Sequence, residues 1–457
     1  MAEHTVSLAK SLKKLLDDKK YQTLKDILTT MNGADIAAVF EDLDEERTPL
    51  LFRLLPKELA AETFAELSPE LQEHLIRGFS DKELREVVSE LYVDDAADLV
   101  EEMPASVVKR ILAQADPEMR REINEILRYP ENSAGSIMTT EYVSLRPNMT
   151  IAEALQRIRR TGVDKETIYT CYVTEERRLI GTVSVKDMLL AKDENTPVSK
   201  IMDENVISVN TMTDQEEVAQ MLSKYNFLAL PVVDTDGRMV GIVTFDDAID
   251  VLVEETTEDI EKMAGMLPSE KSYLRSTPWD LFKHRIPWLM LLMVSATFTG
   301  MIITGFESAL AAQVVLTAFI PMLMDTGGNS GSQASVTVIR ALSLGELDLS
   351  DLPKVVWKEI QTAVLCGVAL ATLCFVKIMV FDRLVLGNSD ITVMTAFVVC
   401  LTMALTVLVA KIVGCTLPLI AKKLGFDPAV MASPFITTIV DALSLLVYFG
   451  IASALLF

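Results

Sequence analysis

The side chain with the most chemical consequence in this sequence is Asp441. It lies near the middle of Ala429–Phe457, a hydrophobic stretch long enough to cross a bilayer. An ionised carboxylate at that depth costs about 3 kcal/mol even on the lower scales, so it must face protein or water. Ser433, Thr437, Asp441, Ser444 and Tyr448 follow one another at steps of three or four, which places them on one helix face. Val440, Leu443, Leu446, Val447 and Ile451 fall mostly on the other side, where lipid or a packed helix suits them. Such a stripe is either the wall of a cation path or a buried aspartate satisfied by a neighbouring helix. Intramembrane carboxylates are functional by default, which favours the path.

A second acidic constellation lies upstream. Asp246, Asp247, Asp250, Glu254, Glu255, Glu258, Asp259 and Glu261 precede the first basic residue, Lys262. On one helix Asp246, Asp250, Glu254 and Glu258 form a single row, with Asp247, Glu255 and Asp259 beside it. Like charges at that spacing cost roughly 0.2–0.5 kcal/mol per pair. A hard divalent cation bridging the row relieves the repulsion, since Mg²⁺ and Ca²⁺ prefer carboxylate oxygens. The plain alternative is a solvated acidic connector. Overall charge favours the cation: residues 1–275 carry 32 basic and 54 acidic side chains, against 10 and 11 from Ser276 onward. So acidic a region repels nucleic acid and anionic lipid, and its compact state is penalised unless cations bind.

The third constellation occurs twice. Ser136-Ile-Met138, Val143-Ser-Leu and Met149-Thr-Ile-Ala-Glu-Ala recur as Lys200-Ile-Met202, Val206-Ile-Ser-Val and Met212-Thr-Asp-Gln-Glu-Glu. Each copy continues into two short strands around a turn, with Asp236-Gly237 marking the second hairpin. Each then enters a helix at Ser184-x-x-Asp187 or Thr244-x-x-Asp247. These residues resemble a tandem pair of CBS domains. The resemblance implies that Ser184, Asp187, Thr244 and Asp247 hold the ribose of an adenine nucleotide such as ATP, a hydroxyl and a carboxylate at a helix N-terminus both reaching sugar hydroxyls. Ser184 and Thr244 also serve as ordinary N-caps.

Residues 1–130, which precede the repeat, read as short amphipathic helices. Breaks fall at Pro56, Ser68-Pro69, Ser80-Asp81, Asp94-Asp95, Pro104 and Asp116-Pro117, roughly 10 to 13 residues apart. Helices of that length suit a superhelix better than a long bundle. The N-terminal stretch has no continuous apolar run, so a cleaved signal peptide is not expected. Cys171, Cys366, Cys374, Cys400 and Cys415 form no metal-ligand pair and read as small core residues in a reducing compartment. His4, His74 and His284 are scattered, giving little support to a histidine-based site.

Five hydrophobic spans follow, at about 286–305, 309–326, 357–381, 391–414 and 430–455, each roughly the 17 to 25 residues a crossing needs. Basic residues before the first span, between the second and third, and between the fourth and fifth place the N-terminal regions in the cytoplasm and Phe457 outside. The second span runs into Pro321-Met-Leu-Met-Asp325-Thr-Gly-Gly-Asn329-Ser-Gly-Ser-Gln333. The glycines predict irregular backbone that lines a cavity or is buried.

This motif, with Asp427-Pro-Ala and Ser433-Pro-Phe-Ile-Thr-Thr-x-x-Asp441, resembles the MgtE family of magnesium channels and transporters, and the resemblance covers nearly the full chain. It implies a multi-pass plasma-membrane homodimer with a pore on its two-fold axis. Its architecture is an all-α N domain (1–130), an α/β CBS pair (131–253, repeats 131–198 and 199–253), a connecting plug helix (254–277) and a five-span pore domain (278–457). Asp441 binds hydrated Mg²⁺ in the pore, with Asn329 beside it, and Mg²⁺ is both substrate and regulator. By the same resemblance the sensor ligands are Asp247, Asp250, Glu254, Glu255, Glu258 and Asp259, with Asp427 at the cytosolic mouth and Asp94 or Asp95 in the N domain. A transporter of Co²⁺ or Mn²⁺ is the nearest rival reading. An intramembrane enzyme is disfavoured, because Asp441 has no histidine or nucleophile–base pair with it.

Overall fold

Helix starts in the N-terminal part are set by proline and by capping residues. In the computed structural model, which describes every residue except 1, 45, 270–272, 274, 275, 389, 432 and 457, this part holds ten helices. These are α1 (Ala2–Asp17), α2 (Tyr21–Leu28), α3 (Gly33–Glu41), α4 (Thr48–Phe52), α5 (Lys57–Ala65), α6 (Pro69–Gly78), α7 (Asp81–Val88), α8 (Val93–Glu102), α9 (Ala105–Gln114) and α10 (Pro117–Ile126). From α5 to α10 each helix begins twelve residues after the last. Ser80 caps α7 with Glu83 completing a capping box, and Asp116 accepts from the Glu118 and Met119 amides to cap α10. Helices this short are marginal alone. They persist because next-but-one helices stack, α3 on α5, α5 on α7 and α7 on α9, around Phe40, Phe64, Leu75 and Leu84. The expected break at Asp94-Asp95 falls two residues earlier: Tyr92 is the N-cap, and both aspartates lie in the first turn of α8.

The repeat folds as two matched halves. β1 (Ser144–Leu145) pairs parallel with β2 (Thr170–Glu175), which pairs antiparallel with β3 (Arg178–Ser184). β4 (Val209–Asn210), β5 (Ala229–Val233) and β6 (Met239–Thr244) repeat that order. α11 (Ile151–Thr161) and α12 (Val185–Leu190) belong to the first half, α13 (Gln215–Tyr225) and α14 (Phe245–Met263) to the second. The halves interlock through the repeated Met and Gly. A Cβ on Gly241 would stand 2.7 Å from Met138 Sδ, and one on Gly181 would stand 2.7 Å from Met202 Sδ. Thr139 exchanges backbone hydrogen bonds with Ile242, and Asp203 does so with Thr182. At Gly241 the Thr139 carbonyl also stands 2.7 Å from that position, so a side chain there would force the backbones of the two halves apart. The hairpin turn at Gly237 has φ 76°, as Asp-Gly requires.

Two compact units comprise Met1–Leu252 and Val253–Phe457. The second contains α15 (Pro278–Gly305), α16 (Glu307–Ala312), α17 (Ile320–Ser343), α18 (Leu352–Val376), α19 (Val393–Lys423) and α20 (Ser433–Leu456). A π-helix, Lys377–Val385, continues α18. Among the described residues four helical segments are long and apolar enough to cross a membrane: Pro278–Gly305, Leu349–Val385, Val393–Lys423 and Pro428–Leu456. The chain is therefore a multi-pass membrane protein. The second hydrophobic span differs from expectation. The segment 309–326 is interrupted by a 3₁₀ turn at Val314–Phe319, and the helix starts only at Ile320. Pro321 opens α17 instead of ending a span, because proline is tolerated in a first turn.

The Gly-Gly-Asn segment is accordingly regular α-helix and not a break. Its glycines serve close approach: a Cβ on Gly414 of α19 would collide with the Gly331 carbonyl of α17. Two lysines inside the spans are paired. Lys411, 5% exposed, lies 3.4 Å from Glu359, and Lys377 lies 2.8 Å from Asp382.

Candidate cation sites

The first acidic group is built in the N-terminal unit by α8, the loop before β2 and the start of α14. Asp94 and Asp95 come from the first turn of α8 and Asp98 from the second, Glu166 from the loop, and Asp246 and Asp247 from the first turn of α14. Thr244, the last residue of β6, donates its hydroxyl to Asp247, which fixes that carboxylate against the helix start. Asp94 is buried, and one oxygen of Glu166, Oε2, is buried without a hydrogen-bond partner. Burial first, and repulsion from Asp247 and its neighbours second, push Asp94 well above its usual range. The same causes bring Asp95 and Asp247 to about 6, Asp98 to about 7 and Glu166 to about 8.

A set of buried, mutually repelling carboxylates fits a hard divalent cation by donor chemistry. Among the described residues, however, no three acidic, histidine or cysteine side chains converge closely enough to hold a metal as they stand. The pKa directions give a testable consequence. Each folded value lies above the unfolded one, 3.8 for aspartate and 4.5 for glutamate. The folded state then binds extra protons, so stability present below pH 4 is lost as pH rises through 6 to 8. Without divalent ions, the unfolding temperature of the N-terminal unit should fall between pH 5 and pH 8. Added Mg²⁺ should raise it more at pH 8 than at pH 5. A Mg²⁺ effect indifferent to pH in thermal unfolding would contradict this.

The second group lies in the other unit. Glu258 Oε1 and Asp427 Oδ2 flank the Lys262 ammonium at 2.5 and 2.7 Å. Asp259 accepts from Ser343 Oγ at 3.1 Å, and Asp427 also accepts from the Ala429 amide at 2.8 Å. Asp250 is close enough to Asp247 for its charge to be felt, and Glu254 and Glu255 follow it in the sequence of α14.

The membrane group centres on Asp441 of α20. Its carboxylate is half-buried and lies over α17, where a Cβ on Gly328 would stand 3.7 Å from Oδ1. Thr437 donates to the Pro434 carbonyl at 2.9 Å. The rest of the expected stripe is packed and does not extend the wall: Ser444 donates to Val440 O at 2.6 Å, and Tyr448 donates to Leu316 O at 3.0 Å, both buried. The Ser433 side chain lies outside the described residues. A second carboxylate, Asp325, is near enough for its charge to reach Asp441, and it accepts from Asn329 Nδ2 at 3.1 Å. Asp325, Asn329, Gln333 and Thr337 form an exposed row at four-residue steps on α17. Sequence reasoning passed over Asp325 because the motif was read as a break; the four-residue step was its signal. Glu166 and Asp98 carried no signal beyond their charge.

In the CBS pair, Ser184 caps α12 by accepting from the Asp187 amide at 3.0 Å and donates to its carboxylate at 2.6 Å. Thr244 and Asp247 make the matching side-chain bond at the start of α14. The capping role is thus present at Ser184, and both hydroxyl–carboxylate pairs stand at helix N-termini.

Sequence profiles agree with this layout. A profile for the MgtE intracellular N domain matches residues 31–132, the CBS domain matches 134–194 and 198–254, and the MgtE profile, described as a divalent cation transporter, matches 320–451. The magnesium transporter MgtE of Thermus thermophilus is 38% identical over 454 residues, 98% of either chain. The chain belongs to the MgtE family. The magnesium transporter MgtE of Bacillus subtilis is 32% identical over 442 residues, 96% of this chain and 95% of that one. A crystal structure of the cytosolic domain of the Mg²⁺ channel MgtE in complex with ATP aligns with 53% of this chain and 99% of its own, at 41% identity and a TM-score of 0.51. MgtE proteins are ion transporters and not enzymes.

Proposed function

We propose that this chain forms a homodimeric, Mg²⁺-selective channel or transporter for magnesium uptake in the plasma membrane, closed by cytosolic Mg²⁺. The observation that carries the reading is Asp441: a carboxylate inside a membrane helix, half-exposed, over the glycines of α17 and within electrostatic reach of Asp325. Mg²⁺ sheds water reluctantly, so a pore selects it by holding the hydrated ion between carboxylates and amide or carbonyl oxygens. Asp441 and Asn329 supply those groups, with Asp325 behind Asn329. The exposed polar row of α17 is unsuited to lipid, which supports a second copy facing it across the two-fold axis.

The placement of basic residues between the hydrophobic spans of this sequence supports a cytoplasmic N-terminus and an external C-terminus. Closure follows from linkage. An ion that binds the compact cytosolic arrangement better than the open one shifts the population toward it. Asp94, Asp95, Asp247 and Asp250 would hold such ions in the N-terminal unit, and Glu254, Glu255, Glu258, Asp259 and Asp427 would do so nearer the membrane. ATP, held by the related cytosolic domain, would sit against Ser184, Asp187, Thr244 and Asp247, whose paired oxygens suit ribose hydroxyls. Growth of an uptake-deficient bacterial strain at low Mg²⁺ tests the assignment. Rescue that Co²⁺ and Mn²⁺ compete for only weakly is expected. Rescue of Co²⁺ or Mn²⁺ uptake without Mg²⁺ uptake would overturn it.

A further inference from the structure

Lys262 stands where a cation would. Its ammonium contacts Glu258 and Asp427 together, with 22% of the side chain exposed, and Asp259 feels its charge. The Glu258–Lys262 contact alone is an ordinary i,i+4 helix pair. The added partner, Asp427, comes from 165 residues further along the chain. The end of α14 is seated and does not fray: Met263 packs against Ile339 and Ala429, and Gly265 (φ 69°) passes beside Pro434. The lysine is therefore delivered to this place by packed backbone on both sides. Burial works against its charge, but the hydrogen bonds it donates to Asp427 and Glu258 outweigh that and hold the ammonium above its usual pKa.

We propose that Lys262 is a tethered competitor for the divalent ion that Glu258, Asp259 and Asp427 would bind, and that it sets the concentration at which that ion acts. The proposal rests on the sensor reading above and adds the residue that sets its threshold. Mg²⁺ accepts oxygen donors only, in a compact octahedron, so it and the ammonium exclude one another from the same two carboxylates. Entry of the ion requires the lysine to swing out, which its flexible four-carbon stem permits. A site occupied by its own cation responds only when the free ion is abundant, because apparent affinity falls with the fraction of competent sites.

The test uses the purified full-length protein in detergent, with the fraction surviving limited proteolysis followed against MgCl₂. Lys262→Met should lower the Mg²⁺ concentration for half-protection about three- to tenfold, as expected for removing a partly exposed ion pair from a divalent site. Lys262→Arg, which keeps the charge, should stay near the wild type, and Asp427→Asn should raise the midpoint. An unchanged or raised midpoint in Lys262→Met overturns the proposal while the sensor reading stands. A wild-type protein whose digestion ignores Mg²⁺ overturns both.

Discussion

Asp441→Ala abolishes Mg²⁺ uptake while the protein stays folded and inserted. The structural side of this expectation is specific. Among the described residues no hydrogen bond or ion pair ties the Asp441 carboxylate to the protein, so its removal breaks no scaffold contact. α20 is anchored one and two turns further on by buried Ser444 and Tyr448, and by Phe449 stacked on Phe306 at 4.7 Å. The functional side follows from the cost of a divalent ion in hydrocarbon. Losing about 3 kcal/mol of stabilisation at the narrow point slows passage by about a hundredfold. Asp441→Asn keeps the shape and should fail equally, whereas Asp441→Glu keeps the charge and should retain part of the flux. Radiotracer or fluorescent-indicator uptake at equal expression measures all three, and robust flux through the alanine variant defeats the pore assignment.

The second large effect is the loss of closure. Asp94→Asn with Asp247→Asn should raise the cytosolic Mg²⁺ needed to shut the pore at least about tenfold, because the linkage that favours the compact arrangement is removed with its ligands. The same double variant should unfold at a higher temperature than the wild type when Mg²⁺ is absent. Asn mimics the protonated acid that burial and repulsion already favour, so the apo protein sheds like-charge strain. Opposite movements, more stable without Mg²⁺ and less responsive to it, separate a sensor from a merely structural acidic patch. A variant that is destabilised without Mg²⁺ and closes normally contradicts the assignment.

Much of the architecture was legible because the signals are local. Prolines and capping residues about every twelve residues announce the helices of the N-terminal part, and Met138 and Met202 with their matching flanks announce the repeat. Asp441 was legible for the opposite reason, as a charge where none is cheap. What the sequence concealed depends on packing. Gly327, Gly328 and Gly331 read as helix breakers until α19 and α20 are seen lying against them, and the polar stripe of α20 read as one surface until Ser444 and Tyr448 are seen turned into the core. Glu166, Asp98 and the Lys262–Asp427 pair are joined through tertiary contacts, which no periodicity encodes. The four-residue row from Asp325 to Thr337 was readable but was masked by the assumption of irregular backbone.

The account stands most directly on flux in proteoliposomes with Mg²⁺ set independently on the two faces. It predicts that Mg²⁺ enters from the face opposite the acidic part, and that millimolar Mg²⁺ on the acidic face alone shuts the flux. Flux that follows only the gradient, unaffected by Mg²⁺ on the acidic face, would contradict it.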